Sequence, residues 1–268
     1  MSTFDVNQLV TVDWQNLGGA AASSNPSVSA TSYTALRNAY LALTGLNSLQ
    51  AQAYTPTNIP ASDPFLAANP SAAVWCTAAL ALSLNLFNTS GCTVTFSSVA
   101  GWDTNLHGTS CGNAFSMYAT AWHEMTECLG RFMSSGIWVS NVYLPGDLWT
   151  WDVTGTSRNF TNSGTRLLQP TSGATAIFNM SQNNGDQGDV VNSGSGSAFN
   201  TTDQVFLTDP IGTVPPPAGN NIAGVSFAAQ IAADLQYMTL MGWRLLNLNQ
   251  AGLGTGGNSG VSLMQFRR

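Results

Sequence analysis

The chain has 268 residues, 44% of them hydrophobic, and a net charge of −6 from seven cations, all arginine, against thirteen acids. That length and apolar content suffice for one large domain with its own core. Seven scattered arginines form no basic patch, which excludes a nucleic-acid partner and disfavours an anionic membrane surface.

Polar character comes instead from Ser, Thr, Asn and Gln. Weak charge repulsion favours self-association, so a homo-oligomer or polymer stands beside a free enzyme as an expectation. The longest apolar run, 74–87, is interrupted by Thr77, Ser83 and Asn85 and is too short to span a bilayer. The start, Met1-Ser2-Thr3-Phe4-Asp5, lacks the basic region and apolar stretch of a secretory signal. The low charge and the four cysteines nonetheless suggest an extracellular protein, released by a signal-independent route or by lysis.

Residues 1–30 are small and polar, broken by Gly18-Gly19 and Pro26, and read as an extended arm or a loosely packed strand. Leu36, Tyr40, Leu43 and Leu46 recur at helical spacing and predict a helix over 34–50. Four prolines make 54–70 a loop. Asn69-Pro70 opens a second predicted helix, with Val74, Ala78, Leu82 and Leu86 as its buried stripe. Residues 92–98 alternate as a strand, with Val94 and Phe96 on one face. A loop containing His107 follows. Asn113 then caps a helix predicted to run to about Met133, apolar along Met117, Ala121, Met125, Leu129 and Phe132. Residues 136–223 read as loops and short strands with clustered aromatics. A last helix is expected over 226–241, with Phe227, Ile231, Leu235 and Met238 buried and Gly242 stopping it. The domain plan is an arm at 1–30, one α+β domain at 31–250 and a glycine-rich tail at 251–268.

The cysteines, Cys76, Cys92, Cys111 and Cys128, show no C-x-x-C pair, which disfavours a cysteine zinc site and favours two disulfides. If one helix covers 113–131, Cys111 and Cys128 lie about 25 Å apart at 1.5 Å per residue, beyond the reach of a disulfide. The expected pairing is Cys76–Cys128 with Cys92–Cys111.

Chemistry concentrates on the helix at 113–133. The chain has two glutamates and two histidines, and His123, Glu124 and Glu127 fall within five positions. Positions 123 and 127 share a helix face one turn apart. A zinc helix offers two ligands at that spacing, with the glutamate after the first placed to act on a metal-bound water. The pattern is His-Glu-x-x-Glu, so a carboxylate stands where the commoner motif has a second imidazole. The extra negative charge weakens the metal as a Lewis acid and makes manganese or iron alternatives to zinc.

The run from Thr120 to Arg131, with His123-Glu124-Met125-Thr126-Glu127 and Gly130-Arg131, resembles the His-Glu-[Ile/Val]-Thr-Glu…Gly-Arg signature of a family of predicted bacterial zincin-like metalloproteases. Ser62-Asp63-Pro64, the strand Val94 to Ser98, Leu144-Pro145-Gly146-Asp147-Leu148-Trp149, Gly185-Asp186-Gln187-Gly188-Asp189 and the closing Asp234-Leu235 to Met241-Gly242-Trp243 resemble further segments of it in order, over about 60–245. The resemblance implies a zincin-like domain: a twisted sheet over the metal-site helix, a cleft between them and a C-terminal helix beneath. It implies a protein or peptide substrate, His123 and Glu127 as ligands and Glu124 as general base. Metzincins take a third ligand three residues after the motif glycine; here that position is Met133, which cannot serve. Asp147, matching a family position, is the first candidate in its place, followed by His107 and Asp189. Tyr143, or His107 if it is not a ligand, could steady the oxyanion. Asp186 and Asp189 form a possible second site, for calcium. Two rivals stand beside the peptidase: an inactive zincin-derived structural protein, and a carbohydrate-binding surface protein motivated by its Trp and Asn content.

Overall fold

A computed structural model of the chain describes residues 10–17, 22–86, 91–98, 100–103, 115–135, 139–161, 163–180, 190–191, 235–245 and 266–267. These form a mixed α+β arrangement of small sheets and few helices.

The first sheet has three strands, with β5 (Cys92–Ser97) between β1 (Val10–Gln15) and β2 (Ala22–Pro26). β1 runs parallel to β5 and β2 antiparallel to it. The chain leaves this sheet at Ser27, whose N–H bonds Gly91 and whose carbonyl accepts from Ala78. β3 (Val28–Thr31) then pairs antiparallel with β4 (Ala73–Thr77), and β8 (Val142–Tyr143) pairs parallel with β4 on its other side. A four-stranded antiparallel sheet holds β9 (Thr150–Trp151), β10 (Arg166–Leu168), β11 (Phe178–Met180) and β12 (Val190–Val191). The two-residue strands β6 (Trp102–Asp103) and β7 (Phe115–Ser116) pair in parallel before the site helix α5 (Met117–Cys128).

In the described part of 1–30 the chain takes the second form expected of it, that of strands. Residues 10–15, 22–26 and 28–31 are paired strands, and Ala22 is fully buried. The single helix expected over 34–50 is two, α1 (Tyr33–Leu41) and α2 (Ser48–Ala53). Gly45 takes the left-handed conformation between them (φ +64°), and Asn47 with Gln50 forms a capping box that starts α2 afresh. Within the expected loop, Asp63 caps a short helix, α3 (Pro64–Ala68). The helix expected from Asn69 is instead β4 followed by α4 (Ala78–Ser83), because β3 and β8 both claim the backbone of 73–77. The predicted strand at 92–98 and the stop at Gly242 (φ +101°) are where the sequence placed them.

Two apolar clusters result. The larger joins α1 to α4 with Tyr143, Leu148, Trp149, Leu168 and the helical segment 235–240. The smaller lies between the first sheet and α5 and holds Ala22, Cys92, Val94, Phe96 and Cys128, with Met117 and Ala121 against it. Leu129, just past α5, packs on the larger cluster, so the site helix bridges the two. Of the expected closing helix, 226–234 lie outside the described residues. In the tail only 266–267 are described; they form β14 (Phe266–Arg267), antiparallel to β13 (Arg244–Leu245).

The disulfide expectation is also corrected. Cys92 pairs with Cys128, at a Cα–Cα distance of 5.6 Å, which excludes both expected bridges. Cys92 opens the strand that lies on α5, whereas Cys76 is on β4 and belongs to the larger core as a buried free thiol. Burial pushes that thiol well above its ordinary range. Cys111 lies outside the described residues.

Candidate metal centre

α5 ends in a way that builds the site. Gly130 adopts φ +107°, donates its N–H to Glu127 O at 2.8 Å, and lets Arg131 N–H reach Thr126 O at 2.9 Å. These are the two bonds of a Schellman motif. Trp243 Nε1–H satisfies a further terminal carbonyl, Leu129 O, at 3.0 Å. A Cβ at Gly130 would stand 3.0 Å from Thr77 Oγ1 and 3.1 Å from Leu80, so both conformation and space require glycine. The reversal returns the Arg131 side chain along the helix it has just left.

There Arg131 meets the motif. Its Nε–H donates to Thr126 Oγ1 at 2.8 Å, and that hydroxyl donates to His123 O at 2.8 Å. Its Nη2 lies 3.0 Å from His123 Nδ1 and 3.3 Å from Glu127 Oε1. His123 Nε2 is 3.2 Å from the same Glu127 oxygen. The other Glu127 oxygen accepts from Ser24 Oγ at 2.6 Å. Ser24 is delivered by the alternation of β2, which turns Ala22, Ser24 and Pro26 to one side while Ser23 and Asn25 face solvent.

His123, Glu124 and Glu127 are all buried, Glu124 completely, and each offers a ligand atom within 4.8 Å of the others. Among the described residues this is the one place where three metal-ligating side chains converge. One imidazole and two carboxylates are a donor set that fits a divalent cation. The group could therefore hold a metal ion. Glu124 stands as close to the others as a third ligand would.

Two of the remaining candidates are among the described residues, Asp147 and Tyr143. Asp147 is not part of this group. Its carboxylate accepts from the backbone N–H of Ser134 (3.1 Å), Ser135 (3.0 Å) and Leu144 (2.9 Å) and from Ser135 Oγ (3.0 Å), with Arg166 at 3.7 Å. Burial pushes its carboxyl up, opposed by Arg166 and those N–H donors. With both oxygens engaged, it organises the loops after α5. Tyr143 is buried in the larger core, stacked on Phe65 at 4.8 Å, and burial raises its hydroxyl's pKa. His107, Asp186 and Asp189 lie outside the described residues. Arg131, which the sequence placed in the resembling run without a role, and Ser24, which it did not single out, complete the group. Arg131 carried a signal, an arginine directly after the helix-ending glycine in a chain with seven. Ser24 carried none, because its contact spans 103 positions. No family model, curated protein or solved structure matches this chain.

Proposed function

We propose that this protein is a metal-dependent peptide hydrolase acting outside the cell, with His123 and Glu127 holding the ion and Glu124 as general base. The observation that carries the reading is the buried convergence of His123, Glu124 and Glu127 on one helix. Zinc suits this donor set, and manganese or iron fits two carboxylates nearly as well. The Cys92–Cys128 disulfide agrees with an oxidising compartment.

A bound ion would supply a polarised carbonyl and an acidified water. The rest falls to the chain. Glu127 is oriented by Ser24, and His123 is held between Arg131 and Glu127. Glu124, adjacent in sequence and turned about 100° around the helix, accepts the proton of the attacking water on a carboxylate oxygen. It then returns that proton to the leaving amine nitrogen. Burial of all three side chains excludes bulk water and strengthens each charge interaction.

A second reading is favoured by the complete burial of Glu124 and by strand β1. If Glu124 is a ligand, the ion closes a structural site in a non-catalytic, self-assembling protein. Among the described residues β1 edges its sheet and leaves Val12 58% and Trp14 49% exposed, the kind of edge along which copies pair. Glu124→Gln separates the two. A hydrolase loses casein cleavage by about 10²-fold or more and keeps its ion. A structural site loses its ion, and the wild type cleaves nothing. Wild-type cleavage that survives Glu124→Gln unchanged rules out the assigned base.

A further inference from the structure

We infer that Arg131 is the site's own counter-cation, which holds His123 and Glu127 in the metal-free protein and must withdraw from the ring before an ion can bind. The inference rests on the reading of this group as a metal site and adds a residue that opposes loading.

It follows from hydrogen-bond direction. A guanidinium has only donors. With Arg131 Nη2 at 3.0 Å, His123 Nδ1 must be the acceptor, so the ring proton is on Nε2. Nε2 lies 3.2 Å from Glu127 Oε1, without the alignment of a hydrogen bond to it. The imidazole is thus in the tautomer opposite to the one an Nε2-bound ion requires. A histidine that ligates through Nε2 carries its hydrogen on Nδ1 and donates it to a carboxylate, carbonyl or water. Here a donor faces that position. Loading moves one proton from Nε2 to Nδ1, leaving the ring neutral and the proton count unchanged. Nδ1–H and the guanidinium then cannot share their present contact.

Glu127 leads to the same conclusion. Its Oε1 faces both Arg131 and the His123 ring, which is where an ion shared by His123 and Glu127 would sit. Arg131 is buried, is fixed at Nε by Thr126, and is aimed by the Schellman turn at Gly130. A full positive charge is therefore aimed at the ligands by backbone geometry. Once displaced from Nδ1, it still has Thr126 Oγ1 and His123 O as acceptors.

The test is zinc binding, by chelator competition, to wild-type, Arg131→Gln, Arg131→Met and His123→Ala proteins, with ¹⁵N-histidine spectra of the wild type before and after zinc. His107→Asn assigns the two imidazoles. Both Arg131 variants are expected to bind zinc more tightly, by about ten- to a hundredfold, the range over which neighbours of a ligand tune affinity. The wild-type His123 ring should carry its proton on Nε2 without zinc and on Nδ1 with it. The spectra use the unaltered chain, so they decide the matter even if a variant folds poorly. Equal or weaker zinc binding by folded Arg131 variants, or an Nδ1 proton already present in the metal-free wild type, would overturn the role of Arg131 and leave the metal site standing. Failure of zinc to bind any protein, with His123→Ala indistinguishable from wild type, overturns both.

Discussion

Asp147 and Glu127 are both buried carboxylates beside a buried arginine, yet they are held by different kinds of donor. Asp147 takes three main-chain N–H groups, from Ser134, Ser135 and Leu144. Glu127 takes a serine hydroxyl and a guanidinium, with the His123 imidazole 3.2 Å away. Main-chain donors are fixed by the fold and cannot leave without unfolding it. Side-chain donors can rotate away and be replaced. Asp147 therefore reads as a joint of the structure, and Glu127 as a group whose partners can be exchanged for a cation.

The contrast breaks most readily at Asp147. Asp147→Ala removes the carboxylate that faces Arg166 and accepts from three N–H groups, and should cost about 3–5 kcal/mol in denaturant unfolding, as expected for half of a buried pair. A loss no larger than that of the serine variant below would remove the distinction. Gly130→Ala comes next. Its positive φ and the 3.0–3.1 Å approach to Thr77 and Leu80 predict a loss of about 1–3 kcal/mol, with the Arg131 contacts disturbed. A neutral result would mean that the reversal after α5 does not constrain Arg131. Ser24→Ala removes one replaceable donor from Glu127 and should cost about 1–2 kcal/mol while leaving metal stoichiometry intact. The smallest effect concerns Cys76. Fully buried, and with its thiol pKa raised by that burial, it should stay unalkylated in the native protein and react once denaturant opens the core. Labelling of Cys76 under native conditions would contradict its place in the larger core.

Legibility in the sequence followed the range of the interactions. The strand from Cys92, the central part of the site helix (Met117–Cys128 of the expected 113–133) and the stop at Gly242 rest on local signals: alternation, periodicity and a glycine. Asn47 and Gln50 announced the start of α2 through their capping box, yet the hydrophobic period across Gly45 masked the break. β4 could not be read from its own residues, because what makes it a strand is pairing with β3 and with β8, some seventy positions on. The disulfide followed from which cluster each cysteine joins, and no spacing encodes that. At the site, the triad was visible as composition. Arg131 and Ser24 entered through a helix cap and a strand from the far end of the chain. Asp147 drew attention as an acid near the motif, and only its three N–H donors show why it is an acid there.

The central claim is that His123 and Glu127 share a cation. Elemental analysis of the protein purified without chelator, beside His123→Ala handled identically, measures this directly. The account predicts close to one transition-metal ion per chain in the wild type and its loss in the variant. Equal metal content in the two proteins, or none in the wild type after exposure to zinc, manganese and iron, would contradict it.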